Sequence, residues 1–337
     1  MRVSIAVADN MTDAGIAIAL DVLRTANAVC RNLRRKEPFA ITVCSPRGRP
    51  VRTAAALRVT GLSSFAVAAR AQVLLVPGTW IERDEDVPAH LASPGFAELV
   101  ALVARVYRRG GSVMGSCSGV FALGMAGVLD DQVATTSWWL APSFARACPR
   151  VALDPSRALV PLRRLATAGA VFAMADLALH LVRTTVGPQV ADVVTRYLLL
   201  DEHPAQAPYM ALTQLAAGDE LLVRAERWIR AHLTGPISLR TLARAIGASE
   251  RTLARRVAAS LATTPAHWVR RIRAEEAARL LETTAVPIER VAERVGFGSS
   301  LSLRRALRGH AGVTPRELRQ RARQAGGDPP GRRPRAK

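Results

Sequence analysis

Two sets of residues in this chain have types and spacings that could do chemistry. The first is arginine on a helical pattern: Arg251 and Arg255 stand four apart, so on a helix they project from one side. Fifty residues further on, Ser300, Arg304 and Arg305 occupy the equivalent surface. A guanidinium carries paired N–H donors that match the O6 and N7 acceptors of guanine, so such a face is suited to reading the major groove. Leu301, beside them, suits either a thymine methyl or packing on another helix, and Ala254 is grouped with the same face. The second set is Gly115-Ser116-Cys117-Ser118-Gly119, a nucleophile flanked by small residues. That is the composition of a nucleophile elbow, where glycines allow close backbone packing at a strand-to-helix turn. A helix amino terminus behind Cys117 is expected to lower its pKa by favouring thiolate.

The elements that position the arginines are legible as an internal repeat. Leu239, Leu242, Ala243, Ile246 and Gly247 recur 49 residues later as Ile288, Val291, Ala292, Val295 and Gly296. Ser249, Leu253, Arg255 and Val257 recur at an offset of 50 as Ser299, Leu303, Arg305 and Leu307. In each copy the first four positions make one apolar helical stripe. The glycine stops that helix through a left-handed exit, and the serine caps the next by accepting from a free backbone N–H. Each copy therefore reads as a helix-turn-helix. Between them Thr264-Pro265 opens a helix with Trp268, Ile272 and Leu280 as predicted core positions. A rigid joint of this kind lets two reading helices enter major-groove segments about 34 Å apart.

The elements around Cys117 follow a different pattern. Val3 to Ala8, Ala40 to Cys44, Gln72 to Pro77 and Ser112 to Ser116 read as buried strands, with helices over Ile16 to Ala28 and Phe96 to Arg109 between them. Further strands are predicted at Val133 to Ser137 and Arg164 to Ala168, then a helix from Ala170 to about Thr185. Alternation of this sort argues for a mostly parallel sheet covered on both faces. The expected organisation is an α/β domain over 1–200, a linker over 201–218, an all-α domain over 219–323 and a disordered basic tail over 324–337.

Composition supports a polyanionic partner. The chain has 337 residues and a formal charge of +20, and residues 219–337 hold 25 Lys+Arg against 11 Asp+Glu. The rest holds 22 against 16, an asymmetry that codon bias toward arginine does not explain. Cys30, Cys44, Cys117 and Cys148 lie far apart, which indicates neither a zinc site nor a disulfide framework. No cofactor and no metal are expected. The amino terminus does not read as a signal peptide and no apolar run is long enough to span a bilayer, so a cytoplasmic protein is expected, without membrane partners.

Residues 221–320 resemble the AraC/XylS-type regulator domain, on Val286 to Arg319 with Gly296-Phe297 and Gly312-Val313-Thr314-Pro315 as landmarks. Val257, Leu303 and Leu307 stand where that family usually has aromatics, a conservative change in a core. Val73 to Gly78, Cys117 to Asp130, Ala134 to Trp139 and Thr167 to Leu181 resemble the PfpI-type, class I glutamine amidotransferase-like domain over roughly 2–200. A chain joining the two is similar to the GlxA-like regulators, which implies a flavodoxin-like front domain acting as sensor and dimer scaffold. It implies a reader contacting promoter DNA through Ser249, Arg251, Ala254, Arg255, Ser299, Ser300, Leu301, Arg304 and Arg305. Homodimerisation, a small-molecule effector, RNA polymerase as partner and activation of transcription follow as expectations from the same resemblance. Relatives often carry histidine soon after the pair that stands here as Thr135-Thr136, but this chain has Ser137-Trp138, and their acidic residue falls near Ala14 or Gly15 with Asp13 close by. No catalytic residue is therefore expected, and Cys117 is at most a vestigial nucleophile. Asp13, Gly78, Trp80, Cys117, Ser118, Ser137 and Trp138 are the candidate ligand-binding residues, at the carboxyl ends of the strands. Their aromatics suit an apolar or cationic ligand. The alternatives are a cysteine-dependent amidase or hydrolase tethered to DNA, and an architectural DNA-binding protein.

Overall fold

The run Val73–Val76 has four apolar residues in succession and all four are buried, which a strand reaches only when both its faces are covered. It belongs to the first of two units into which the chain divides, Met1–Met210 and Ala211–Lys337. The structure, a computed structural model, describes residues 1–201, 203, 205, 206, 219–261 and 263–325.

The strands of the first unit are β1 (Arg2–Ala6), β2 (Ala40–Ser45), β3 (Val51–Arg52), β4 (Arg58–Val59), β5 (Ser63–Ser64), β6 (Val73–Val76), β7 (Ser112–Ser116), β8 (Val133–Ala134), β9 (Ala152–Leu153), β10 (Leu159–Pro161) and β11 (Leu165–Ala168). Seven form one sheet in the order β10-β11-β7-β6-β1-β2-β5, parallel throughout except at β10–β11. Helices Asp13–Asn32, Met174–Val186 and Pro188–Tyr197 pack together as one group. Helix Pro94–Arg108 contacts both Phe65–Ala68 and Val120–Met125 in a second group. From β1 the chain steps outward to β2 and later back to β6 on the other side, so the strand order reverses between β1 and β6. Crevices for ligands form at the carboxyl ends of strands at such a switch point.

Two predicted elements differ. The strand expected over Val133 to Ser137 is only Val133–Ala134, and it pairs with β9 outside the main sheet. Thr135 N–H donates to the Thr167 hydroxyl rather than to a ladder, and the hydroxyls of Thr135, Thr136 and Ser137 tie the segment to the Arg157 carbonyl, the Cys117 carbonyl and the Cys117 sulfur. The predicted linker also begins inside the first unit. His203 N–H donates to Asp176 Oδ1 at 2.8 Å, and Gln206 N–H donates to the Ser156 carbonyl at 2.9 Å. The remainder of the linker, 207–218, lies outside the described residues, as does the expected tail beyond Ala325.

The second unit is helical among its described residues. Glu220–Ala231 leads into the first helix-turn-helix, Leu239–Ala245 and Glu250–Leu261. Pro265–Thr283 links it to the second, Ile288–Arg294 and Ser300–Ala311, and Pro315–Ala325 follows. The repeated stripe is buried in both copies, at Leu242, Ala243 and Ile246 and at Val291, Ala292 and Val295. Gly247 and Gly296 take the left-handed conformation, at φ +69° and +76°. In the linking helix Trp268 and Ile272 are buried as expected, whereas Leu280 is only partly buried and its neighbour Leu281 fills the core position. A partly buried ionic cluster ties this helix to Glu220–Ala231: the exposed Arg230 bridges Glu226 and Glu275, and the buried Arg271 donates from Nε to Glu275 at 3.1 Å. No single helix among the described residues is long and apolar enough to cross a membrane.

Candidate functional site

The second helix of each helix-turn-helix begins where the two serines end their turns. Ser249 Oγ accepts from Thr252 N–H at 3.1 Å, and Ser299 Oγ accepts from Ser302 N–H at 3.1 Å within a capping box. Leu253 and Val257 anchor the first helix and Leu303 and Leu307 the second, all fully buried. The helical period then leaves Arg251, Arg255, Arg304 and Arg305 exposed, with Ala254 and Ser300 half-buried beside them. Leu301 is 57% exposed, which removes the alternative that it packs on another helix of this unit. Several other arginines of the unit are held in ion pairs, Arg240 with Glu250, Arg256 with Asp219, and Arg279 with Glu276. Arg251, Arg255, Arg304 and Arg305 hold none among the described residues, so their donors are free for an external acceptor.

In the first unit, β7 delivers Cys117 into a left-handed conformation, φ +55°, followed by a single 3-10 turn, Cys117–Gly119, and the helix Val120–Met125. Glycine is required on both sides of this bend. A Cβ on Gly119 would lie 2.4 Å from the Val76 carbonyl oxygen, and one on Gly78 would lie 2.7 Å from the Cys117 Cβ. The elbow geometry is therefore present. Its electrostatics are the reverse of the expectation: the Cys117 thiol is buried, and burial pushes its pKa above the usual thiol range despite hydrogen bonds from Ser137 and Ser118. Ser137 Oγ donates to Cys117 Sγ at 2.9 Å, and Ser118 Oγ donates to the Thr79 carbonyl at 2.7 Å. The groups around the sulfur are thus hydroxyls and N–H donors, none of which is a base that takes up a thiol proton at neutral pH.

The remaining candidates do not converge on Cys117. Asp13 opens the helix Asp13–Asn32, and its carboxylate accepts from the Thr53 hydroxyl and from Ala55 N–H at 3.0 Å. Slight burial raises its pKa, but those two bonds outweigh it and hold the carboxyl below its ordinary value. It pins the loop around Ala55 rather than orienting a base. Trp80 is 56% exposed and lines a crevice of about 710 Å³ with Asp9, Asn10, Arg49, His90 and Phe96, a lining that does not include Cys117. Burial lowers the pKa of His90, so it is neutral near pH 7, and its ring meets Phe96 edge-on at 4.9 Å. Trp138 is half-buried and edge-on to Trp139 at 5.5 Å.

One residue that sequence reasoning passed over is joined to the elbow. Gln206 is buried and its Nε2 donates to Thr135 Oγ1 at 3.1 Å and to the Thr136 carbonyl at 2.8 Å, while Thr136 Oγ1 donates to the Cys117 carbonyl at 2.8 Å. The segment that leaves the first unit is thereby connected through two threonines to the nucleophile position. Nothing local marks it, because His203-Pro204 and Pro208 make the stretch look like an unattached linker.

Comparison with known proteins agrees with this architecture. A family model described as a helix-turn-helix domain matches residues 242–321. Over 93% of its length the chain is 26% identical to the HTH-type transcriptional regulator GbdR of Pseudomonas aeruginosa, covering 82% of that protein. It is 28% identical to the HTH-type transcriptional regulator GlxA of Rhizobium meliloti, over 65% of this chain and 68% of that one. Among solved structures, an AraC family transcriptional regulator from Pseudomonas putida is 26% identical and superposes with a TM-score of 0.50, covering 58% of this chain and 98% of that one. With a duplicated helix-turn-helix behind a parallel α/β unit, the chain is a helix-turn-helix transcription regulator similar to the AraC-type and GlxA-like regulators.

Proposed function

We propose that the protein binds promoter DNA as a dimer through Ser249, Arg251, Ala254, Arg255, Ser299, Ser300, Leu301, Arg304 and Arg305, in the cytoplasm, and activates transcription with RNA polymerase. The observation that carries the reading is the pair of capped helices whose four arginines are exposed and free of ion pairs among the described residues. The reader extends over 219–323 and the front domain over 1–200 plus the residues docked on it through Gln206. In this reading the front domain is a sensor built on a PfpI-type scaffold and not an enzyme. Its effector enters the crevice at the β1/β6 switch point, where Trp80 and Phe96 supply apolar surface. Cys117, with Gly78, Ser118 and Ser137 around it, is a closed structural bend, and Trp138 stands apart on Trp139. A sealed, protonated thiol without a base supports that assignment over hydrolysis.

A two-part experiment on Cys117→Ala tests it. Promoter binding and reporter response are expected to be retained in the variant, and the unaltered protein is expected to turn over no amide or aldehyde substrate. Amide turnover that disappears in Cys117→Ala would establish the hydrolase reading instead.

A further inference from the structure

The two helix-turn-helix units are useful as a pair only if their separation matches the helical repeat of DNA, and the linking helix alone need not set it. Arg273, near the middle of Pro265–Thr283, reaches in two directions at once. One terminal nitrogen donates to the Gly296 carbonyl at 2.8 Å, and the other donates to the Gly235 carbonyl. Gly296 is the turn of the second helix-turn-helix, and Gly235 lies in the loop leading into the first. A second feature brings the same segments together: a Cβ on Gly296 would fall 2.0 Å from the Leu233 carbonyl oxygen, so the turn and the loop are in direct backbone contact.

We infer that Arg273 is a positioning residue for DNA reading, clamping the second turn onto the entry loop of the first unit and thereby setting the spacing at which the two reading helices meet the duplex. It rests on the reading of both helices as DNA-contacting. A planar guanidinium with two parallel donors holds two carbonyls in fixed relation, which an ammonium donating to one of them does not. Both acceptors are main-chain atoms, so the clamp defines the path of the backbone rather than the rotamer of a neighbour. Moving one recognition element by a single base pair shifts it about 3.4 Å along the axis and rotates it by about a tenth of a turn. A rigid joint rejects that displacement, and a loosened one follows it.

The test begins with duplexes selected by the full-length protein from a random library, to define the two elements and their spacing. Binding is then measured to the selected duplex and to versions with one base pair inserted or removed between the elements. The unaltered protein is expected to disfavour the altered spacings by about ten-fold or more, the scale of one lost base contact. Arg273→Met, which keeps the aliphatic packing, is expected to cut that discrimination to about three-fold or less while weakening binding at the selected spacing by a smaller factor. Arg273→Lys, which retains one donor group, is expected to fall between, and it carries the test should Arg273→Met not fold. Unchanged spacing discrimination in both variants overturns the inference, and so does an equal loss of affinity at all spacings, the signature of a merely structural role. Selection of a single element by the unaltered protein would overturn the two-helix reading beneath it.

Discussion

Gly247 and Gly296 occupy the same place in the two helix-turn-helix copies, and replacing each by alanine separates backbone conformation from close packing. Both are left-handed, so an alanine at either position carries about 1–2 kcal/mol of backbone strain. A Cβ at Gly247 meets nothing within 4 Å. At Gly296 it would stand 2.0 Å from the Leu233 carbonyl oxygen and 2.8 Å from the Arg273 guanidinium. The arginine can swing away, but the carbonyl is main chain and moves only with the loop that Arg273 holds. Overpacking of this kind adds about 1–3 kcal/mol, so Gly296→Ala is expected to cost about 3 kcal/mol in all and Gly247→Ala about half that or less. The assay is urea-dependent hydrogen exchange of the full-length protein, followed in peptides from Pro265–Thr283, whose Trp268 is fully buried. Losses equal to within about 0.5 kcal/mol would refute the reasoning, because they would mean that the Gly296 turn relaxes without disturbing the Leu233 loop.

Other perturbations test the remaining sites. Arg251→Ala or Arg305→Ala is expected to cost about 1–3 kcal/mol of binding and to relax sequence preference at one base step; a footprint and affinity unchanged in both would show the reading face misassigned. Gly169→Ala places a Cβ 2.4 Å from Gln206 Oε1, the end of a flexible side chain. It is expected to eject Gln206 and raise hydrogen exchange at residues 203–206 with little loss of global stability, and unchanged exchange there would count against the docked segment. Asp13 has a folded pKa below its unfolded one, so its contribution to stability is present above the unfolded carboxylate value and fades as pH falls through the folded one. Asp13→Asn is therefore expected to destabilise the front unit at neutral pH and to flatten the acid limb of its stability profile, as urea midpoints from pH 7 down to pH 3 would show.

Much of the second unit was legible in the chain because its signals are local. An apolar stripe at helical spacing, a glycine exit and a serine cap all act within a dozen residues, so Leu242, Gly247, Ser249 and their counterparts could be placed without knowing what they touch. The same holds for the buried strands of the front unit and for the glycine-flanked bend at Cys117. Leu280 was misplaced by one residue, since over a 19-residue helix the choice between adjacent leucines depends on where the partner helices cross.

What tertiary structure alone decided is what each residue faces across long separations in the chain. Cys117 has the sequence of a reactive thiol, yet Ser137, twenty residues away, closes over it and burial raises its pKa. Asp13 is spent on Thr53, and Trp80 lines a crevice apart from the elbow. Gln206 docks on Thr135 and Thr136 from 71 and 70 positions away, and Arg273 joins Gly235 to Gly296 across 38 and 23. Periodicity encodes which side of an element is buried, because that depends on near neighbours. It carries no record of which distant group supplies the hydrogen bond or excludes the water, and those two things determine whether a thiol reacts and where a second reading helix points.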